Sequence, residues 1–476
     1  MARQEAGNVQ PTAAPRPPQG GAGAARVVLA LACAAQFMVV LDVSVVNVAL
    51  PSIQRSLGFA AADLQWVAGA YALMFGGFLL LGGRLADLYG HKRVFLAGLT
   101  LFTAASLAGG LANTAGLLVA ARALQGLGAA VLAPATLTIL TVTFPEGTRR
   151  TRALAIWTAV GLAGGAAGNL LSGALTQYLT WRSTLLINVP IGAVAVSLAA
   201  VFLTSGRATT RTARLDVGGA VLVTFALLTL TYGVTTTQTR GWGDALTVAA
   251  LAAGLAALAA FVVVEARVAP IPLISPRLFR TRAIWLGNAA IMLTGAAFQI
   301  PLWYFLTLYM QQVLHFGALQ TGLGFLPHTV VMLTVGLCLT PWLMNRLSAR
   351  TLIVGGALIA AAGFAWQSRI TADSTYLTGV LGPGILLSVG GGLFNTPLTT
   401  TVTSGVPAHD AGAASGLMNT SKQIGGALGL AILIALTVRQ DDSAHALAAG
   451  YGQAFAITAA ALAGVAALAF ALPRGR

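Results

Sequence analysis

The chain has 476 residues, of which 57% are hydrophobic and only 8% charged, and its mean hydropathy is +0.82. A water-soluble chain carries about 25% charged residues, so the composition excludes a soluble globular protein and points to many membrane spans. The net charge of +15 does not signal nucleic acid, because the basic residues sit in short segments between apolar runs, where they set topology.

Residues 1–25 are rich in Pro, Gly and Ala, hold Arg3 and Arg16, and read as a disordered cytoplasmic tail. No small-residue cleavage site closes a short apolar region, so the first span reads as retained rather than as a signal peptide. Apolar spans follow at about 26–50, 64–82, 94–112, 115–141, 153–176, 184–204, 217–236, 246–265, 283–309, 320–343, 351–368, 376–400, 412–437 and 453–472. Each is close to the roughly 20 residues that cross a bilayer as a helix, so the chain is expected to be an all-α membrane protein of 14 spans. The pair 217–265 is divided only by Gly241-Trp242-Gly243. Cys33 and Cys338 both fall in spans, so no disulfide framework and no metal site is expected.

The first span closes on Leu41-Asp42-Val43-Ser44-Val45-Val46-Asn47-Val48-Ala49-Leu50-Pro51, and Asp42 is the one acid of twelve placed well inside a span. A carboxylate at a helix centre in the bilayer costs about 2.5–3.5 kcal/mol on insertion scales, so a chain that keeps one is expected to use it. Arg122 in span 4 lies at a similar depth, about 10 Å against about 12 Å for Asp42 at 1.5 Å per residue. Gln125 follows Arg122 by three residues and shares its helix face. Lys422 in span 13 is the second intramembrane cation, read either as a cavity wall or as a side chain snorkelling to the cytoplasm.

An even number of spans puts both termini on one side. With that side cytoplasmic, 20 Lys and Arg fall inside and five outside (Arg55, Arg182, Arg240, Arg369 and Arg439), leaving Arg122 and Lys422 in spans. The positive-inside rule selects this orientation.

Internal echoes point to two copies. Gly83-Arg-Leu85-Ala-Asp87-Leu-Tyr-Gly90-His-Lys92 after span 2 is matched by Pro341-Trp-Leu343-Met-Asn345-Arg-Leu-Ser-Ala-Arg350 after span 10. Gly164 to Gly168 in span 5 echoes Gly425 to Gly429 in span 13. Spans 1–6 and 9–14 then form two related halves with spans 7 and 8 inserted, a pattern of secondary transporters that bind substrate between the halves. The expected units are the tail 1–25, a six-helix bundle 26–205, two linker helices 206–270 and a second bundle 271–476.

These residues resemble the major facilitator superfamily, in its fourteen-helix drug–proton antiporter branch. The loop Gly83-x-Leu85-Ala86-Asp87-x-x-Gly90-x-Lys92 resembles the superfamily's loop 2–3 signature. Leu41-Asp42 with Val45 to Pro51 resembles the branch's helix 1 motif, Arg122-Ala-Leu-Gln125-Gly126-Leu-Gly128 its helix 4 motif, and Asn419 to Gly429 its helix 13. The helix 5 antiporter motif is altered: it reads Gly164-x-x-x-Gly168-Asn169-x-x-Ser172-Gly173, with Asn169 in place of Pro.

The resemblance implies two pseudo-symmetric six-helix bundles plus two extra central helices, and export of a small amphipathic drug or antibiotic by alternating access, driven by the proton gradient with no cofactor. Asp42 and Arg122 are the expected proton-coupling pair: burial favours a neutral carboxyl and a guanidinium the charged one, so separating them exchanges a proton. The substrate cavity is expected to draw on Asn47, Gln125, Trp157, Asn169, Phe298, Asn395, Asn419, Lys422 and Gln423. Gly83, Asp87, Gly90 and Lys92 form a cytoplasmic gate, with Asp87 meeting a helix N-terminus near Ala411–Ser415. Gly126, Gly161, Gly164, Gly165, Gly168 and Gly173 serve close packing or hinging.

Phe298, Trp303, Tyr304, Phe305 and Met310 cluster in span 9, with an outer aromatic belt the expected role of Trp303 and Tyr304. His328 reads as structural. A phosphate-binding loop for an ATP-driven pump is absent, and one intramembrane acid is too few for an enzyme, so none is expected. Proton-coupled uptake or facilitated diffusion is the rival within transport, kept open by Asn169; a receptor or scaffold is the rival outside it. High Ala, Gly and Arg with two Lys suggests a bacterial plasma membrane protein, whose partners are the drug, protons and lipid, working as a monomer.

Overall fold

The computed structural model describes residues 22–144, 147–203, 216–269, 273, 281–403, 411–437 and 443–472. The tail before Ala22, the basic residues Arg207, Arg211, Arg214, Arg277 and Arg280, and the side chain of Asp87 lie outside the described residues.

Among the described residues, fourteen helices are long and apolar enough to cross a membrane: α1 (Ala22–Leu57), α2 (Trp66–Tyr89), α3 (His91–Gly110), α4 (Ala115–Thr143), α5 (Thr148–Tyr178), α6 (Ser183–Phe202), α7 (Val217–Arg240), α8 (Ala245–Val268), α9 (Arg282–Val313), α10 (Ala318–Met344), α11 (Ala349–Gln367), α12 (Leu377–Thr403), α13 (Ala411–Thr437) and α14 (Ala444–Phe470). Hydrocarbon leaves no water for backbone groups, so helices satisfy them internally. Side chains close several ends: Thr114 accepts from the Leu117 amide, Asp216 from Gly219, and Asp244 from Leu246 and Thr247. The break between α7 and α8 falls at Gly241, whose φ of 85° favours glycine.

Three helices differ from the expected spans. α1 runs through Pro51 to Leu57; Pro51 frees the Asn47 carbonyl, a loss that packing in a bundle tolerates, and on the neighbouring Val48 carbonyl Gln311 of α9 donates at 2.9 Å. α9 carries π-helical segments at Gly295–Gln299 and Tyr309–Val313, and restarts at Pro301. α6 is interrupted at Ile187, just before Asn188.

The two copies pack by the same glycine contacts. A methyl on Gly164 would meet the Phe37 carbonyl oxygen at 3.0 Å, and one on Gly168 the Leu41 oxygen at 3.1 Å. In the second half Gly425 stands against the Met292 carbonyl, and Gly429 against the Ala296 oxygen at 3.1 Å. Both pairs step by four residues on each helix, so α1–α5 and α9–α13 share one register. In that register Asp42 corresponds to Ala297, and Lys422 to Gly161.

The halves meet through α2 on α13 and through α5 on α10. The inserted pair is central in sequence but peripheral in space: α7 packs on α2 and α13, and α8 on α7. At the end carrying the Leu57–Trp66 connection, one apolar cluster runs from Val45, Val48 and Trp181 into Phe305, Tyr309 and Tyr451 of the second half. At the opposite end, the cluster around Val28, Phe95, Phe102 and Ala199 stays within the first half. The first end is packed across the halves, and at the opposite end the same large cluster continues through Leu81, Leu286 and Val402, with Leu80 of α2 against Gly416 of α13.

Two expectations are corrected. Tyr304 is 1% exposed and stacks edge-on with Phe305, and Trp303 packs on Phe325. They face protein rather than a lipid belt, because the turn after Pro301 swings them toward α10 and α14. Asp42 is also not the sole buried acid within a helix, since α8 continues to Val268 and carries buried Glu265.

Candidate functional site

Asp42 is wholly buried where α1 crosses α4 and α6. Because α1 extends to Leu57, it lies fifteen residues, about 22 Å, from that helix end, deeper than the span boundaries suggest. Arg122 Nη1 donates to Asp42 Oδ2 at 2.5 Å and to Gln125 Oε1 at 2.7 Å. Its Nε donates to the Val67 carbonyl at 3.0 Å, and its guanidinium lies 4.5 Å from the centre of the Tyr71 ring. Gln125 Nε2 donates to Asp42 Oδ1 at 2.7 Å and to Ser106 Oγ at 2.6 Å. Asn188 Nδ2 also donates to Oδ1, at 3.1 Å.

A charge-assisted bond is about twice as strong as a neutral one, and here three donors from two helices hold one carboxylate. The pair is neutral as a unit, which reduces the cost of burying it. Protonating Asp42 takes away the charge that Arg122, Gln125 and Asn188 converge on, so the protonation state and the α1–α4–α6 crossing are coupled.

The structure thus brings Asp42, Arg122 and Gln125 together as expected. It adds Asn188, Ser106 and Tyr71, which sequence reasoning missed. The available signal for Asn188 was Asn188-Val-Pro190, a polar residue and a proline near the start of a span.

The expected cavity residues divide. Asn47 is buried and donates to the Val43 carbonyl at 3.3 Å. Asn169 is buried between the halves, its backbone against Gly322 of α10. Gln423 is buried against Gly76 of α2. Phe298 packs edge-on with Phe364 and Phe394 within the second half. Phe305 and Met310 are likewise fully packed. Trp157 and Lys422 are half-buried, and Asn395 and Asn419 exposed. Asn395 lies eight residues before the end of α12 and Asn419 eight after the start of α13, so both sit at one depth, about 12 Å from those helix ends.

Of the expected gate, Gly90 makes the α2–α3 turn with a φ of 84°, and Lys92 donates to the Ala200 carbonyl of α6 at 2.6 Å. That bond stays within the first half. Gly83 has only Pro134 nearby, at 3.8 Å. Among the packing glycines, Gly161 faces Gln36, Gly173 faces the Ala318 carbonyl at 2.7 Å, Gly126 lies on the Tyr71 carbonyl, and Gly165 has ordinary contact with Val40 at 3.5 Å.

A family model described as Major Facilitator Superfamily matches residues 32–430. The chain is 56% identical over 451 residues to the cephamycin export protein CmcT of Amycolatopsis lactamdurans, covering 94% of this chain and 93% of that one. It is 42% identical to the puromycin resistance protein pur8 of Streptomyces alboniger, covering 85% and 80%. It is 35% identical to the tetracenomycin C resistance and export protein of Streptomyces glaucescens, covering 83% and 73%. A crystal structure of an auto-inhibited POT family peptide transporter superposes with a TM-score of 0.70 at 14% identity, covering 95% of this chain and 98% of that one; this likeness speaks for the fold alone.

Proposed function

The chain belongs to the major facilitator superfamily, a family of transporters rather than enzymes, and we propose that it exports a small amphipathic antibiotic across a bacterial plasma membrane in exchange for protons. The relatives named for cephamycin export and for puromycin and tetracenomycin C resistance support the substrate class. The observation that carries proton coupling is the buried Asp42 carboxylate, held by Arg122, Gln125 and Asn188.

In this reading both termini are cytoplasmic, so the exposed Asn395 and Asn419 lie toward the cytoplasm, and the described state receives substrate from inside. The bundles 26–205 and 271–476 rock about the α2–α13 and α5–α10 contacts, with 206–270 as a peripheral brace and one chain as the working unit. Asp42 takes up a proton from outside when the outer end opens, and releases it inward when Arg122 closes on it again. Asn395, Asn419, Trp157 and Lys422 line the inward cavity, and Gly83, Asp87, Gly90 and Lys92 work the cytoplasmic gate.

The test is proton movement in proteoliposomes driven by a cephamycin or puromycin gradient, comparing wild type with Asp42→Asn at equal thermal stability. Opposed fluxes abolished in the folded variant are expected. Drug flux with no proton flux, or an unaffected variant, overturns coupling through Asp42; fluxes in the same direction make the protein a symporter and put Asn169 first for study.

A further inference from the structure

Lys422 is, among the described residues, an interior cation that the proton site does not use. Arg122 is paired with Asp42, and among the described residues Lys422 has no ion pair. Among the described residues no acid is placed to serve it. Of these residues, Asp42 and Glu265 are the buried acids within helices. Asp42 already receives three donors, and Glu265 lies beside Gly219 on the peripheral α7–α8 pair.

The position of Lys422 on α13 is set by its neighbours. Thr420 and Gln423 face Gly76 of α2, while Ser421, Gly425 and Gly429 face α9. The stripe Ser415, Asn419, Lys422 and Gly426 is spaced as one helix face; the backbone of Lys422 packs on Gly295 and Gly426 on Gln299 of α9, while Asn419 is exposed and the Lys422 side chain half-buried. Farther along, the same stripe carries Leu430 and Leu433, buried in the cluster that seals the halves. Ile432 and Leu436, on the side turned outward, are exposed. The stripe is therefore polar and partly exposed toward the start of α13 and apolar and buried farther along. Lys422 lies about three residues deeper than Asn419, and Gln299 stands beside Gly426 across from it. By the shared register its twin in the first half is Gly161, so the charge is unmatched there.

We propose that Lys422 is the counter-ion for an anionic group of the transported compound. The cavity then selects an amphipathic monoanion, such as a carboxylate on an apolar body, over the corresponding neutral or cationic compound. A cation in a low-dielectric space without a partner is costly, and a bound carboxylate removes that cost while Asn419 offers a hydrogen bond at its rim. This deepens the export reading above and rests on it for the direction of movement, but not for binding.

The test measures thermal stabilisation of the purified full chain by cefoxitin, a cephamycin whose carboxylate is ionised at neutral pH, by its methyl ester, and by cationic puromycin. The acid is expected to protect at concentrations at least tenfold lower than the ester or puromycin. Lys422→Gln is expected to abolish that advantage and Lys422→Arg to keep it. The acid-to-ester ratio in the wild type needs no variant to fold. An ester as effective as the acid, an acid without effect, or an advantage that survives in Lys422→Gln overturns the assignment. Uptake of the same compounds into everted membrane vesicles is read separately: acid-selective binding with no accumulation overturns export and leaves the Lys422 counter-ion standing.

Discussion

Asn188 and Asp42, 146 residues apart, share a hydrogen bond of 3.1 Å at the point where α6 is interrupted. The break before Asn188 lets its amide reach the same carboxylate oxygen that Gln125 binds. A bond to a charged group contributes about 1.5–3 kcal/mol. Asn188→Ala should therefore lower stability by about that amount and shift the pH profile of transport, whereas Asn188→Asp should lose coupling by placing a second carboxylate against Asp42. An unchanged pH profile in a folded Asn188→Ala would remove Asn188 from the proton site.

Arg122 and Asp42 should behave as a unit. Removing one partner of a buried pair costs about 3–5 kcal/mol because the other is left charged and alone. Arg122→Gln should thus destabilise strongly, and the double variant Arg122→Gln with Asp42→Asn should be more stable than the single Arg122→Gln. Thermal unfolding in detergent reads this; two effects adding within about 0.5 kcal/mol would mean the groups do not interact.

Neighbouring glycines of α5 should differ sharply. A methyl on Gly168 would lie 2.5 Å from the Ser44 Cβ, while one on Gly165 makes ordinary contact with Val40 at 3.5 Å. Overpacking typically costs about 1–3 kcal/mol, so Gly168→Ala should lower stability and transport and Gly165→Ala should be near neutral. Equal effects would show that α1 and α5 are not in this register.

Accessibility should separate the exposed Asn419 from the packed end around Val48. In a background with Cys33→Ser and Cys338→Ser, Asn419→Cys should react with a membrane-impermeant maleimide in detergent at least tenfold faster than Val48→Cys, which replaces a fully buried residue. Gly322→Ala places a methyl 2.6 Å from the Asn169 carbonyl oxygen and should speed labelling at Val48→Cys by loosening the α5–α10 seal. Equal rates at both positions would contradict the asymmetry.

Much of this was legible in the sequence. Fourteen long apolar runs determine fourteen helices, because lipid leaves the backbone no other way to satisfy its polar groups. Asp42, Arg122 and Gln125 stood out because charge in hydrocarbon is costly enough to be informative wherever it occurs. The echo of Gly164 and Gly168 in Gly425 and Gly429 marked the repeated helix pair. Asn188, Ser106 and Tyr71 did not stand out, since a single neutral polar side chain in a span costs little and carries no address. Their partners are chosen only when helices distant in the chain pack at atomic range. The same packing turned Tyr304 inward rather than toward lipid, carried α1 through Pro51, and joined the halves through α2 on α13 and α5 on α10. Hydrophobicity along a chain records which residues avoid water; which of them meet each other is decided by shape complementarity between helices, and that exists only in three dimensions.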